Sequence, residues 1–229
     1  MEPQSAPADV KDRLKASYDA MAPQYNQWTE KHHTLRHKYL DKLFELCPQL
    51  LATGDNGSLS PSVIELGCGA GEPVLSTLLS RNPALKATAL DLSETQIELA
   101  RDNLKAHGSR VEYIAGDMVS STADAAPGGY TAVIALYSLI HLAQAEQKTM
   151  IKRIADWLPK GGCFLASFAK DEIEGVVMEK WLDEKGWMYC SGMGVEGTLR
   201  AVEESGLEVL VKEVEVGEDE TFLWVIAKK

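Results

Sequence analysis

Three glycines spaced by two residues are the first feature of this chain that could do chemistry. Gly67, Gly69 and Gly71 directly follow an apolar segment that ends at Leu66. Glycine has no Cβ, so the backbone here can approach a ligand closely and adopt turns that other residues avoid. A dinucleotide-binding turn reads G-x-G-x-x-G, and its third glycine would fall at Glu72. The spacing therefore favours a nucleotide-type ligand other than a dinucleotide.

Three carboxylates stand where predicted strands end. Glu65 precedes the glycines, where extra negative charge disfavours a pyrophosphate and suits a ligand with an amino group. Asp91 follows the loop by about 20 residues, the position of an acid that binds ribose hydroxyls. Its alternative role is capping the helix that begins beside Ser93. Asp117, with Met118 as an apolar wall, can accept from an adenine amino group or be an acidic turn residue.

Histidine and cysteine offer fewer candidates. His141, after the fourth predicted strand, is considered as a general base, with a packing role as the alternative. His33 and His37 lie four residues apart without an accompanying carboxylate or cysteine pattern, so no metal is expected. Residues 32–38 are interpreted as a solvated basic face, with at most one residue turned into the site. Cys190 has no histidine base identifiable beside it, so covalent catalysis is not expected.

Alternating strand and helix patterns bring these residues to one edge of a sheet. Strands are predicted over Ser62–Leu66, Leu85–Asp91, Val111–Ala115, Tyr130–Tyr137, Gly162–Phe168, Leu207–Val216 and Thr221–Ala227, with helices between most of them. The pattern predicts a doubly wound, Rossmann-like α/β fold whose seven-stranded sheet is mostly parallel and ends in an antiparallel hairpin. In such a sheet, ligands bind at the carboxyl ends of the strands.

Composition limits the partners of the chain. A net charge of −11 disfavours nucleic acid and anionic membranes. No apolar run approaches the roughly 20 residues that span a bilayer, and residues 1–12 do not resemble a signal peptide. The 4 cysteines form no C-x-x-C pair. We therefore expect a cytoplasmic protein whose partner is a small molecule, and its oligomeric state stays open.

Four motifs together resemble those of class I S-adenosylmethionine-dependent methyltransferases. They are Glu65-Leu-Gly-Cys-Gly-Ala-Gly, Ala-Leu-Asp91-Leu-Ser, Gly116-Asp117-Met118 and Tyr137-Ser-Leu-Ile-His141. The resemblance covers roughly residues 13–229. More narrowly, Tyr18-Asp19…Tyr25 and Phe222–Ala227 resemble segments of a group that methylates small molecules.

The resemblance implies S-adenosylmethionine as cofactor and S-adenosylhomocysteine as product. The implied cofactor-binding residues are Tyr18, Tyr25, Glu65, Gly67, Cys68, Gly69, Gly71, Asp91, Leu92, Gln96, Asp117, Met118 and Leu136. Among these, Leu92 packs on adenine, Leu136 places its backbone near the cofactor's amino group, and the two tyrosines close over the site. His141 and Tyr18 are the expected catalytic residues.

A substrate wall is expected around residues 187–193. The family pattern Met-Tyr-Trp-Ser-His-Phe is matched at Met188, Tyr189 and Ser191, and smaller or more flexible residues replace the rest, which implies a roomier pocket. The expected substrate residues are Tyr137, His141, Trp187, Tyr189 and Met193.

Composition and periodicity also divide the chain. An amphipathic pattern predicts a helix from Asp9 to about Ala22, and a loop rich in Gly, Ser, Asn, Asp and Pro over Thr53–Pro61 marks the boundary between an N-terminal lid and the core. A disordered tail is expected over 1–8 and a single methyltransferase domain over 9–229, divided into an N-terminal helical lid (9–52), a cofactor-binding core (62–169), a substrate insertion (170–194), and a closing helix and hairpin (195–229).

The expected activity is in-line transfer of a methyl group to O, N or S of a small organic acceptor. A protein that binds S-adenosylmethionine without methylating, for an isomerisation or a regulatory role, is the alternative. An NAD-dependent oxidoreductase is disfavoured by the glycine spacing and Glu65. Nucleic-acid or protein methylation is disfavoured because no basic patch or Asn-Pro-Pro-Tyr-like segment follows the fourth strand.

Overall fold

The computed structural model describes residues 5–52, 60–121, 129–217 and 221–229. The strands of these ranges are β1 (Ser62–Leu66), β2 (Lys86–Asp91), β3 (Val111–Ala115), β4 (Ala132–Ala135), β5 (Cys163–Ala169), β6 (Glu172–Glu179), β7 (Trp187–Met193), β8 (Glu208–Val216) and β9 (Thr221–Lys228). The α-helices are α1 (Val10–Thr29), α2 (His33–Leu46), α3 (Val74–Arg81), α4 (Glu94–Asn103), α5 (Gln144–Trp157) and α6 (Gly194–Glu204).

Seven strands form the main sheet, in the order β3-β2-β1-β4-β5-β9-β8. The first five are parallel to one another, and β9 runs antiparallel between β5 and β8. Side chains of β1 alternate between two cores, with Val63 on one face and Ile64 on the other. Both faces are buried, which explains the continuous apolar strands of the sequence. The predicted fold class is confirmed.

The first helix is longer than its pattern predicts. The sequence predicted a helix from Asp9 to about Ala22, but α1 continues through Pro23 to Thr29. Proline lacks the N–H for a helical hydrogen bond and disfavours a helix interior. The added part of α1 carries Tyr25 and Trp28, whose ring centroids lie 5.9 and 5.6 Å from that of Trp181. This aromatic packing offsets the lost hydrogen bond.

The expected insertion at 170–194 contains an antiparallel hairpin. Strands β6 and β7 pair as a separate two-stranded sheet. Strand β7 packs between α1 and the 3₁₀ turn at Leu139–His141, and of its residues only Cys190 is not fully buried. A strand covered on both faces shows no polar alternation, so its period was not visible in the sequence.

Some sequence-based predictions lie outside the described residues. These are the first half of the tail at 1–8, most of the boundary loop at 53–61, and most of the turn between β8 and β9. Among the described helices, none is long and apolar enough to cross a membrane.

A steric test of the glycine turn uses two glycines with similar backbones. Gly67 has φ +75°, and an added Cβ would lie 2.5 Å from Cβ of Ser138; Gly206 has φ +88°, with nothing within 4 Å of an added Cβ. Both alanine variants place a Cβ on a residue with positive φ, which lowers stability in each case. Only Gly67→Ala also crowds a neighbouring side chain. We expect Gly67→Ala to lower the free energy of unfolding by about 1–3 kcal/mol more than Gly206→Ala, measured by urea denaturation. Equal losses would show that close contact between the two strand ends is not a constraint.

Candidate functional site

Two cavities adjoin at the carboxyl edge of the parallel strands. The smaller, of about 90 Å³, lies beside the glycine loop, and the larger, of about 610 Å³, lies between the helical lid and the β6–β7 hairpin. Tyr18, Tyr25, Tyr137 and His141 line both. The smaller cavity is also lined by the predicted residues Gly67, Gly69, Asp91, Leu92, Gln96, Asp117, Met118 and Leu136. The topology thus brings most of the predicted cofactor-binding residues together.

Asp91 organises the small cavity. Its carboxylate accepts a hydrogen bond from the N–H of Gly69 at 2.8 Å and another from the N–H of Ser93 at 2.9 Å. Burial raises the pKa of Asp91 to about 6, and these two N–H groups oppose the rise by favouring the charged form. Asp91 therefore connects the glycine turn to the start of α4 while it faces the cavity.

Two side chains of the small cavity carry polar atoms with unused hydrogen-bonding capacity. Gln96 is buried, and neither its Oε1 nor its Nε2 has a partner among the described residues; the same holds for Oγ of Ser138. Buried polar groups in folded proteins are nearly always paired. A ligand with donors and acceptors fits these atoms, and the open approach at Gly69 leaves room for it.

Asp117 is held by a lysine of the lid. Lys11 Nζ lies 2.8 Å from Oδ2 of Asp117 and 2.8 Å from Oε1 of Glu146. Burial acts to raise the pKa of Asp117, but the hydrogen bond and charge of Lys11, together with hydrogen bonds from the Val119 N–H and the Ser120 hydroxyl, outweigh it, so the pKa is lowered. The acid predicted to bind adenine therefore also ties α1 to the sheet edge.

Tyr18 and His141 form a hydrogen-bonded pair where the cavities meet. Their Oη and Nε2 atoms are 2.9 Å apart, and Nδ1 of His141 lies 2.8 Å from the carbonyl oxygen of Tyr189. A carbonyl only accepts, so Nδ1 carries the proton; in the neutral ring, Nε2 then accepts from the Tyr18 hydroxyl. The structure therefore defines the tautomer of His141 and the direction of both hydrogen bonds.

Burial keeps this pair uncharged. It lowers the pKa of His141 below its ordinary value and raises the pKa of Tyr18 well above its ordinary value. The neutral imidazole retains a lone pair at Nε2, directed at the tyrosine hydroxyl. The pair can accept a proton at Tyr18 and pass the hydroxyl's own proton to His141.

Aromatic rings and two cationic side chains, those of Arg36 and Lys170, line the larger cavity. Sequence reasoning missed several of its residues: Trp28, His32, Arg36 and Trp181. Trp28, His32 and Arg36 follow one another at intervals of four residues, a spacing that places side chains on one helical face. This spacing could have predicted that the three residues lie together. The expected solvated basic face was wrong for His32 and Arg36, which are buried, whereas His37 is exposed.

The expected substrate wall is displaced by one residue along β7. Met188 and Cys190 line the larger cavity, whereas Trp187 and Tyr189 pack with Val10 and Leu14 of α1. Successive side chains of a strand point to opposite faces, so the cavity meets the alternate set.

The third residue expected in that wall, Met193, also lies elsewhere, in the core of the main sheet. Tyr189 still reaches the site through its carbonyl, which holds His141.

Three residues of the expected cofactor-binding set, Glu65, Cys68 and Gly71, line neither cavity. Cys68 packs in the core, and a Cβ on Gly71 would meet Cδ1 of Leu104 at 2.7 Å, so this glycine allows close packing against the end of α4. Glu65 is buried, and burial raises its pKa well above its ordinary value. The negative charge expected of Glu65 is therefore disfavoured.

A histidine does lie beside Cys190, contrary to the sequence-based expectation. Sγ of Cys190 is 3.9 Å from Nδ1 of His141. That nitrogen donates to the Tyr189 carbonyl, and burial raises the pKa of the Cys190 thiol to about 12. The thiol is therefore in its protonated, weakly nucleophilic form.

The central part of the chain is similar to known proteins. Residues 63–162 match a family model described as a methyltransferase domain. A release factor glutamine methyltransferase of Chlorobaculum tepidum is 30% identical over 115 residues, which cover 49% of this chain and 38% of that protein. A carboxy-S-adenosyl-L-methionine synthase of Campylobacter curvus is 29% identical over 134 residues, covering 55% and 54%. The chain thus spans about half the length, or less, of these curated relatives.

A solved structure extends the fold comparison over the full chain. The 1,6-didemethyltoxoflavin-N1-methyltransferase of Burkholderia thailandensis, crystallised with 1,6-didemethyltoxoflavin and S-adenosylhomocysteine, superposes with a TM-score of 0.69 at 15% identity. The match covers 100% of this chain and 92% of that one. The fold is therefore the Rossmann-like fold of S-adenosylmethionine-dependent methyltransferases. Residues 63–162 match the methyltransferase-domain family model, in agreement with the resemblance noted in the sequence.

The direction of the hydrogen bond between Tyr18 and His141 can be tested by titration. In Tyr18→Phe the neutral imidazole loses its donor, so we expect the pKa of His141 to rise towards its ordinary value, measured from its ring proton shifts by NMR. Tyr189→Phe is the matched control: it also removes a phenol hydroxyl but leaves the carbonyl on Nδ1, so the pKa of His141 should not change. A lower pKa in Tyr18→Phe would contradict the assigned direction.

Proposed function

We propose that this protein transfers a methyl group from S-adenosylmethionine to O, N or S of a small organic acceptor. One observation carries the proposal: the cavity of the glycine loop meets a larger, partly aromatic cavity at Tyr18, Tyr25, Tyr137 and His141. A cofactor held by the loop then faces the space where an acceptor binds. The family match over residues 63–162 supports the same reaction class.

The residues of the small cavity suit each part of the cofactor. Gly69 leaves room at the backbone, Asp91 accepts from ribose hydroxyls, and Gln96 contributes its unpaired amide. Asp117 accepts from the adenine amino group beside its bond to Lys11, because a carboxylate has about four lone-pair sites. Leu92, Met118 and Leu136 supply apolar walls. When bound, S-adenosylmethionine supplies a methyl group already activated by its sulfonium.

Tyr18 and His141 are proposed to remove the proton from an acceptor that carries one. The Tyr18 hydroxyl accepts the acceptor's proton while it donates its own to Nε2 of His141. The Tyr189 carbonyl keeps the imidazole oriented throughout. Because α1 covers the junction, the same contacts exclude water from the reacting groups.

The second candidate is a protein that binds S-adenosylmethionine without methylating an acceptor. A relative named as a carboxy-S-adenosyl-L-methionine synthase favours it, since that name describes chemistry other than methylation of an acceptor. Release of S-adenosylhomocysteine that depends on an added acceptor separates the two candidates.

Binding and turnover provide the direct test. We expect calorimetry to detect S-adenosylhomocysteine binding, which Asp91→Asn weakens about tenfold or more because a ligand-facing carboxylate is lost. Asp102→Asn, an exposed change of the same kind on α4, should leave the affinity unchanged. Labelled S-adenosylmethionine with a panel of phenols, amines and thiols should yield a methylated product. Binding without any methylated product across the panel would favour the second candidate, and absence of binding would exclude both.

The raised pKa of Asp91 makes cofactor affinity depend on pH. With a pKa of about 6, the carboxyl is mostly protonated at pH 5 and ionised at pH 7. Ribose hydroxyls donate best to the ionised form, so the unliganded protein binds more protons than the complex in this window. We expect the affinity for S-adenosylhomocysteine to rise through about pH 6 and then level off. The difference between wild type and Asp91→Asn should follow the same curve; a constant difference from pH 5 to 8 would contradict this role.

A further inference from the structure

Arg36 is a buried cation in the wall of the larger cavity. Its side chain is on α2, and the residue is only 7% exposed. The guanidinium donates one long hydrogen bond, of 3.4 Å, to the carbonyl oxygen of Thr29 and lies 4.8 Å from the ring centroid of Tyr137. Among the described residues it has no salt-bridge partner. Most of its five N–H donors therefore have no strong acceptor.

Neighbouring acids do not neutralise this charge. Glu65 is close enough for Arg36 to lower its pKa, but burial dominates, and the pKa of Glu65 stays well above its ordinary value. Asp171 also lines the cavity, but its carboxylate is engaged by Lys170 at 2.5 Å. A buried cation is costly unless it is paired, so this part of the cavity is suited to an anionic group of a ligand.

The shape of the cavity walls specifies the rest of that ligand. Tyr18, Tyr25, Trp28 and Trp181 form a continuous set of rings in edge-on or tilted contact, with neighbouring centroids 5.1 to 6.2 Å apart. Such rings pack well against a flat conjugated system. Tyr137, whose ring lies beneath Arg36, lines both cavities, so a group anchored at Arg36 is held next to their junction.

We propose that the ligand of the larger cavity is a planar aromatic carboxylic acid, whose carboxylate pairs with Arg36 and whose ring packs against the tryptophans of the lid and the hairpin. This inference rests on the proposed function, because it names the class of the methyl acceptor. In this proposal, Arg36 is a specificity residue that selects ligands with a carboxylate. A guanidinium matches a carboxylate with two parallel hydrogen bonds, and its position above Tyr137 orients that fork.

The test compares two probes of nearly equal shape. Binding of 2-naphthoate and its neutral analogue 2-naphthamide is measured by calorimetry, with and without saturating S-adenosylhomocysteine. We expect wild type to bind the carboxylate at least about tenfold more tightly than the amide, as expected for a charge-assisted pair. Arg36→Met should abolish the preference. Arg101→Met is the matched control, because Arg101 also stacks on a tyrosine but lies outside both cavities.

Equal or tighter binding of the amide by wild type would overturn the inference without any variant, so the test stands even if Arg36→Met fails to fold. A preference retained in folded Arg36→Met would overturn it as well. Binding of S-adenosylhomocysteine is read separately. If that ligand binds and the carboxylate preference is absent, only the acceptor class is wrong; if it does not bind, the proposed function itself fails.

Discussion

The carboxylate of Asp91 connects the parts from which the site is built. One oxygen accepts from the glycine turn at Gly69, and the other accepts from Ser93 at the start of α4. The Ser93 hydroxyl accepts from the N–H of Gln96 and donates to Asp19 of the lid at 2.6 Å. The end of one strand thus sets the positions of the glycine turn, a helix start and the lid helix. The raised pKa of Asp91 reflects the burial that this arrangement requires.

The lid is positioned by the same network as the cofactor cradle. Tyr18 directly precedes Asp19 on α1, so the anchor of Asp19 at α4 also places the Tyr18 hydroxyl on His141. Lys11, two turns earlier on the helix, adds an ion pair with Asp117. Helix α1 therefore contacts two of the strand ends that face the smaller cavity. A ligand in that cavity would touch the residues that hold α1 in place.

The core and the cofactor side could be read from the sequence because their signals are local. The glycine turn follows its strand within a few residues, Asp91 ends β2, and Asp117 follows the end of β3 by two residues. A parallel sheet then brings these ends to one edge. Local patterns failed for Glu65, where burial rather than position decides the charge, and for α1, where distant aromatic contacts maintain a helix through Pro23.

The acceptor side depends on contacts that no local pattern records. The residues of the Tyr18–His141 pair are separated by 123 positions, and Trp181 reaches Tyr25 and Trp28 from a separate hairpin. The direction of β7 side chains is set by which face meets α1, and a shift of one residue exchanges Tyr189 for Cys190 at the cavity. Arg36 looked like a surface cation because a helix of basic residues is usually solvated. Its burial follows from the approach of α2 to Tyr137, and that approach converts an ordinary basic position into a determinant of ligand charge.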